Sequence, residues 1–175
     1  MGSVYQLNPV SDNDRLLYIN TDIPSGNTIS STTETPFVSS FTVPAGGLAA
    51  GVRIRVEAYG LYTTLLTASS MIVNLKVAGT TIATATLPIS LAATNKGWSM
   101  RTTSIIQNMN GNMGTFDTQG IASFDTNNIT IANATPYTVD SSVDMPVTMT
   151  ARFSGVALSS SIQLRQLYVD VANLT

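Results

Sequence analysis

The sequence contains neither cysteine nor histidine. Without thiols, no disulfide or thiolate metal site can staple the fold. Without imidazole, Ser-His-Asp and Cys-His nucleophilic systems and the common zinc and haem sites are excluded. Charge is the next scarcity: Asp, Glu, Lys and Arg make up 10% of the 175 residues, against about 25% in ordinary globular proteins. With 8 basic side chains and a net charge of −2, there is no electrostatic footprint for gripping a polyphosphate backbone. Neither end carries an Arg/Lys-rich arm, so direct contact with nucleic acid is not expected. The longest apolar runs fall far short of the ~20 residues that span a bilayer, so no membrane partner is expected either. The opening Met1 to Gln6 has no basic stretch followed by an apolar run, as a secretory signal would, and Gln6 spoils a myristoylation pattern.

Neutral polar residues fill the place of the missing charge. Ser and Thr together number 44, and the mean hydropathy is positive at +0.21. Monomeric domains carry mixed charges that hold neighbours apart. A surface this neutral tolerates close neighbours, which implies that other subunits cover a large part of it.

Two regions differ in texture. Residues 1–35 are polar and irregular, with Asp12-Asn13-Asp14-Arg15, Pro24-Ser25-Gly26-Asn27 and a Ser/Thr run from Ser30 to Thr35; only Leu16 to Ile19 reads as a strand. At roughly 3.3 Å per residue such an arm reaches about 100 Å, enough to engage a neighbouring subunit. Folding back as edge strands on its own sheet is the equal alternative.

Residues 36–175 show the period-two alternation of half-buried strands. Val52, Ile54, Val56 and Ala58 alternate with Arg53, Arg55, Glu57 and Tyr59. Met71, Val73, Leu75 and Val77 lead through Ala78-Gly79 into Thr80–Leu87, a hairpin pattern. A second hairpin is expected about Asn110-Gly111, and Val147, Met149, Ala151 and Phe153 mark another strand. In the last segment Ile162 and Leu164 lie in one frame and Leu167, Val169 and Val171 in the other, so a bulge near Arg165-Gln166 would let both sets face the core. No stretch sustains a 3.6-residue apolar period, and Leu61 to Met71 is the best helix candidate. The expected fold is all-β, a two-sheet antiparallel sandwich. A jelly roll is preferred over an immunoglobulin-like sandwich because the long connections Thr86–Lys96 and Thr126–Asp144 suit strands that cross between sheets better than tight up-and-down neighbours.

The residues left for acid–base work are carboxylates: Asp117 with Asp125, Asp140 with Asp144, and Glu57. Asp117 and Asp125 sit in a repeated tripeptide, Phe116-Asp117-Thr118 and Phe124-Asp125-Thr126, which strand-end and turn preferences account for. No catalytic residue, metal ligand or cofactor is assigned, and the chain is read as not an enzyme. Asp12-Asn13-Asp14 offers oxygen ligands but lacks the Gly and terminal Glu of a calcium loop. Sugar binding asks less, an aromatic platform with a few polar groups. Trp98, Asp117, Asp125 and Tyr137 are the candidate ligand-binding residues, with Tyr59 and Tyr62 as further platforms and with capping of the core as the competing role for Trp98.

The segments Val52 to Gly60 and Val73 to Thr81, then Gly97-Trp98-Ser99-Met100-Arg101 and the closing Ile162 to Val171, resemble a β-sandwich module of bacteriophage virion proteins across roughly residues 37 to 172. Such modules occur in head-decoration proteins, capsid fibres and tail fibres, commonly as trimers. The resemblance implies a virion component assembled in the host cytoplasm, with itself, as a homotrimer, and other virion proteins as partners. A carbohydrate- or receptor-binding module of a viral fibre is the alternative, with a glycan as partner.

Overall fold

The computed structural model describes residues 3–7, 14–20, 27–64, 70–88, 92–132, 136–155 and 159–174. Its elements are β1 (Ser3–Leu7), β2 (Asp14–Asn20), β3 (Thr28–Ile29), β4 (Thr35–Val43), β5 (Arg53–Thr64), β6 (Ser70–Val77), β7 (Thr80–Pro88), β8 (Ala93–Asn110), β9 (Met113–Phe124), β10 (Asn127–Ala132), β11 (Tyr137–Asp140), β12 (Met145–Phe153) and β13 (Ser161–Leu174). No helix occurs among the described residues. The helix candidate is instead strand at both ends, Leu61–Thr64 in β5 and Ser70–Met71 in β6; residues 65–69 lie outside the described residues. Tyr62 and Thr64 continue the buried register of Ile54, Val56 and Ala58, so a period-two face prevails where a helical one would have broken it.

The strands form two antiparallel sheets packed as a sandwich. The large sheet has nine strands, ordered β1-β2-β13-β5-β8-β9-β10, with β3 also on β13 and β11 also on β9. The small sheet has four, ordered β4-β12-β6-β7. The chain passes from one sheet to the other at β3–β4, β4–β5, β5–β6, β7–β8, β11–β12 and β12–β13. The first long connection singled out in the sequence carries the β7–β8 passage, and the second contains β10 and β11 before it crosses into β12.

The core lies between the sheets and is made by alternation. Val147, Met149, Ala151 and Phe153 of β12 share one core with Ile54, Val56 and Ala58 of β5, all essentially without solvent exposure. Aromatic rings cross the gap: Trp98 lies between Phe37 of the small sheet, 6.3 Å away, and Phe124, 6.4 Å away, while Tyr18 packs on Phe41 at 5.5 Å.

Local turn chemistry sets the registers. Ala78 and Gly79 both take positive φ (49° and 79°), the type I′ pattern that matches strand twist. The β8–β9 hairpin differs from its expectation by one residue. Asn110 pairs with Met113, so the two-residue loop is Gly111-Asn112, and of these only Gly111 has positive φ (60°). Glycine at the first central position is what a type II′ turn requires. The Asn112 carbonyl then accepts hydrogen bonds from the Ser141 amide (2.7 Å) and hydroxyl (3.0 Å). In β13 the pairing with β5 skips from Leu164 to Gln166. Arg165 is thus the extra residue of the expected bulge, and Ile162, Leu164, Leu167, Val169 and Val171 are all buried.

Strands within residues 1–35 lie on the chain's own sheet, the folded-back alternative of the two weighed above: β1 pairs with β2, and β2 and β3 pair with β13. Side chains hold this region as well. The Asn20 and Asn27 amides both donate to the Ser39 hydroxyl (2.8 and 2.7 Å), and the Ser39 amide donates back to Asn27 Oδ1 (3.2 Å).

Candidate functional site

Strand register decides which candidates meet. Asp117 and Asp125 stand eight residues apart along β9 and its turn, which at 3.3 Å per residue separates them by about 26 Å. Paired carboxylates of a glycosidase lie within about 10 Å of each other, so these two cannot share a reacting bond. Identical tripeptides take different roles here. Asp117 is mid-strand on the outer face and accepts from Gln107 (3.0 Å), whereas Asp125 begins a tight turn with φ of 54° and pairs with Lys96 at 3.1 Å. Asp140 accepts from the Ser142 amide and hydroxyl (2.8 and 2.6 Å), which holds its carboxyl below the usual range. Asp144 accepts from the Ala45 amide (2.9 Å). Both serve turns. Of the Ca²⁺ candidates, Asp12 and Asn13 lie outside the described residues, and no group of three or more metal-ligating side chains occurs among the described residues.

The aromatic candidates also divide. Trp98 is 3% exposed, and its indole N–H donates to the Gln163 carbonyl (3.0 Å), so its ring caps the core and is not a platform. Tyr137 lies opposite Phe116 in β11 and packs half-buried against the core, on the opposite side of the sheet from Asp117. Tyr62 is buried edge-on against Phe124 (6.1 Å); burial and the Asp125 charge push its hydroxyl pKa up. Only Trp98 and Asp125 of the four assigned ligand-binding residues come together, at the β9–β10 turn.

What the register assembles there is a site partly unseen in the sequence. Tyr59 of β5, Ser99 of β8 and Ser123 of β9 are cross-strand partners in one row on the outer face of the large sheet. With Gly97, Trp98 and Asp125 they line an open depression of ≈ 360 Å³. A second depression of ≈ 310 Å³ lies over the sandwich end, lined in part by Tyr62, Leu87, Pro88, Lys96, Asp125 and Asn127. Asp125, salt-bridged to Lys96, borders the outer depression and the end one alike.

Tyr59 is held rigidly. Its hydroxyl donates to Glu57 (2.5 Å) and accepts from Arg101 Nε (3.0 Å), and the Arg101 guanidinium lies 5.5 Å from the ring centroid, a cation–π arrangement. The Tyr59 hydrogen bond, with the nearby Arg55 at 2.5 Å, keeps the Glu57 carboxyl below its ordinary range, the opposite of what a general acid needs. Burial, then the bond to Glu57, raises the Tyr59 pKa. Floor space comes from Gly97, where an added Cβ would meet nothing within 4 Å.

A different character marks the outer face of the small sheet. Val38, Ser40 and Thr42 of β4, Thr148 of β12, and Thr84 and Thr86 of β7 point outward there, with Val38 58% exposed. Charge on this face comes from Lys76 and Arg152, and Lys76 is tied to Glu34 at 2.7 Å.

No family model and no curated protein matches the chain. Among solved structures, dimeric latent PorU from Porphyromonas gingivalis gives a TM-score of 0.45 at 11% identity, covering 98% of this chain and 14% of that one, so this chain spans only a small part of that protein. The CBM2 module of the evolved Dit of Lactobacillus casei BL23 phage J-1 gives 0.35 at 14% identity, covering 78% and 69%. Winged bean acidic lectin complexed with methyl-α-D-galactose gives 0.37 at 8% identity over 100% of both chains.

Proposed function

We propose that this protein is a non-catalytic structural subunit of a bacteriophage particle, a capsid or capsid-decorating sandwich that works by assembling with copies of itself, most simply as a closed trimer. The observation that carries the reading is the sparsely charged outer face of the small sheet, where Val38 and a row of Ser and Thr side chains point to solvent. Copies meeting through Val38, Ser40, Thr42 and Thr148 would cover a neutral patch, with Lys76 already held by Glu34 and Arg152 beyond it toward the Thr35 end of β4. The large sheet's outer face carries Arg53, Arg55, Glu57, Arg101 and Asp117, and self-contact there would bury charges or set like against like. The resemblance of the β5, β6, β8 and β13 segments to phage virion modules supplies the particle.

Light scattering at micromolar concentration tests this. A mass near three times 18.5 kDa is expected, little changed between low and high salt because the contact is neutral. Val38→Asp and Thr148→Lys, both at solvent-facing strand positions, are expected to give folded monomers. An 18.5 kDa monomer for the unaltered protein would sink the reading.

A second reading, a carbohydrate- or receptor-binding module of a viral fibre, is favoured by one observation: the depression beside Tyr59 puts a fixed aromatic wall next to serine hydroxyls and a carboxylate.

A further inference from the structure

We infer that the depression between Tyr59 and Asp125 is a binding site for an uncharged pyranose, with vicinal hydroxyls on the Asp125 carboxylate and the apolar side of the sugar ring against Tyr59. The inference rests on the carbohydrate-binding reading and gives it a place and a ligand class.

Preorganisation is the first argument. Glu57 and Arg101 fix the Tyr59 hydroxyl from both sides, so the wall loses little freedom when a ligand arrives. The Asp125 backbone is fixed by its turn, its amide donating to the Gly97 carbonyl (2.9 Å), and its carboxylate lies 3.1 Å from the exposed Lys96 ammonium. An ionised carboxylate is acceptor-only with two oxygens; one is engaged by Lys96, and a pair of adjacent sugar hydroxyls supplies the donors that the other lacks. Ser123 donates to Asn128 Oδ1 (2.7 Å), which leaves its oxygen to accept, and the Ser99 hydroxyl borders the same space.

Charge argues for a neutral ligand. An acidic sugar would have to face Asp125, while the nearby cations are already committed, Lys96 to Asp125 and Arg101 to the Tyr59 hydroxyl and the Glu57 charge. Shape argues for a ring, because the missing Cβ of Gly97 leaves a flat floor in a strand whose neighbours Ser99 and Arg101 project outward. The volume of ≈ 360 Å³ is at the small end of ligand sites, about 300 Å³ and upward, which suits one or two sugar rings bound weakly.

The experiment uses the full chain on an array of neutral and acidic oligosaccharides, followed by titration of the best neutral binder against the ¹⁵N-labelled protein. Binding to neutral glycans is expected, with shifts centred on the Gly97, Ser99, Ser123 and Asp125 amides. At least a tenfold loss is expected in Gly97→Val, which fills the floor, and in Asp125→Asn, which keeps the shape and halves the acceptors, with none in Asp117→Asn on the same face. Unchanged melting curves separate lost binding from lost fold. Neutral-glycan binding that survives Gly97→Val, or shifts elsewhere, overturns the site but leaves the carbohydrate reading standing. Binding confined to acidic glycans overturns the ligand class. No binding to any glycan overturns both.

Discussion

Two glycines on neighbouring strands show how differently one residue type is used. At Gly60 an added Cβ would lie 1.8 Å from the Gln163 carbonyl oxygen and 2.5 Å from Trp98 Nε1, the two atoms that bond each other at 3.0 Å. Backbone on one side and a buried indole on the other leave no route for relief. Gly60→Ala therefore breaks a partly buried hydrogen bond and forces β5 away from β13, which together cost about 3 kcal/mol or more and lower the melting temperature by roughly 6–12 °C. Gly97→Ala adds the same methyl where nothing lies within 4 Å, and is expected to stay within about 0.5 kcal/mol of the parent. Thermal denaturation of the pair checks both, and equal effects would show that the Trp98–Gln163 contact is not what Gly60 protects. Nothing in the local sequence separates Tyr59-Gly60-Leu61 from Lys96-Gly97-Trp98; the difference arises from what the register sets opposite each.

At the scale of elements, the bulge in β13 gives a prediction that runs against the usual rule for deletions. Pairing with β5 passes from Leu164–Gly60 directly to Gln166–Tyr59, so Arg165 has no cross-strand partner and is exposed. Removing it leaves Leu164, Leu167, Val169 and Val171 in unbroken alternation on the core side. Removing Tyr168 instead turns Val169 and Val171 to solvent. The Arg165 deletion is expected to fold with a melting temperature within a few degrees of the parent, and the Tyr168 deletion to be insoluble or lack native near-ultraviolet dichroism; the reverse order would mean that the bulge sets the sheet's curvature rather than its phase. That bulge was legible because two apolar frames in one short segment admit few other solutions. The strands and the Ala78-Gly79 turn were legible for the same local reason, period two and turn chemistry. The site was less so. Asp117 and Asp125 look alike as tripeptides, and Trp98 looks like a platform, because local sequence states neither how far apart along β9 two residues fall nor which ring the opposite sheet will cover. Tyr59 was in view as an aromatic on a wet face, but its partners Ser99 and Ser123 are ordinary serines that acquire meaning only from the β5–β8–β9 register.

For the whole molecule, the question is whether residues 1–35 belong to the sandwich or merely decorate it. Tyr18 and Ile29, at 6% and 3% exposure, are part of the common core. Asn27 takes up the Ser39 amide with its side chain and the Leu164 amide with its carbonyl (2.9 Å), so it stitches β4 and β13, from different sheets, to one point. Burial of two such side chains contributes about 4 kcal/mol and the hydrogen bonds about 1 kcal/mol each. A loss of roughly 6 kcal/mol is a large fraction of a domain's total stability. Truncation at Pro36 is therefore expected to lower the melting temperature by roughly 10–20 °C and, by stripping β2 from β13, to expose an open strand edge that promotes aggregation. Assembly lost by such a fragment would report damage to the fold before it reported a missing interface. The Val38→Asp variant, which leaves the arm in place, is the cleaner probe of self-association. If the fragment instead melts like the full chain, by calorimetry, while failing to form the larger particle in light scattering, then the arm's place on β13 is dispensable within one chain. Donation of β2 to the β13 edge of a neighbouring copy, by the same antiparallel pairing, becomes the arrangement that best accounts for assembly.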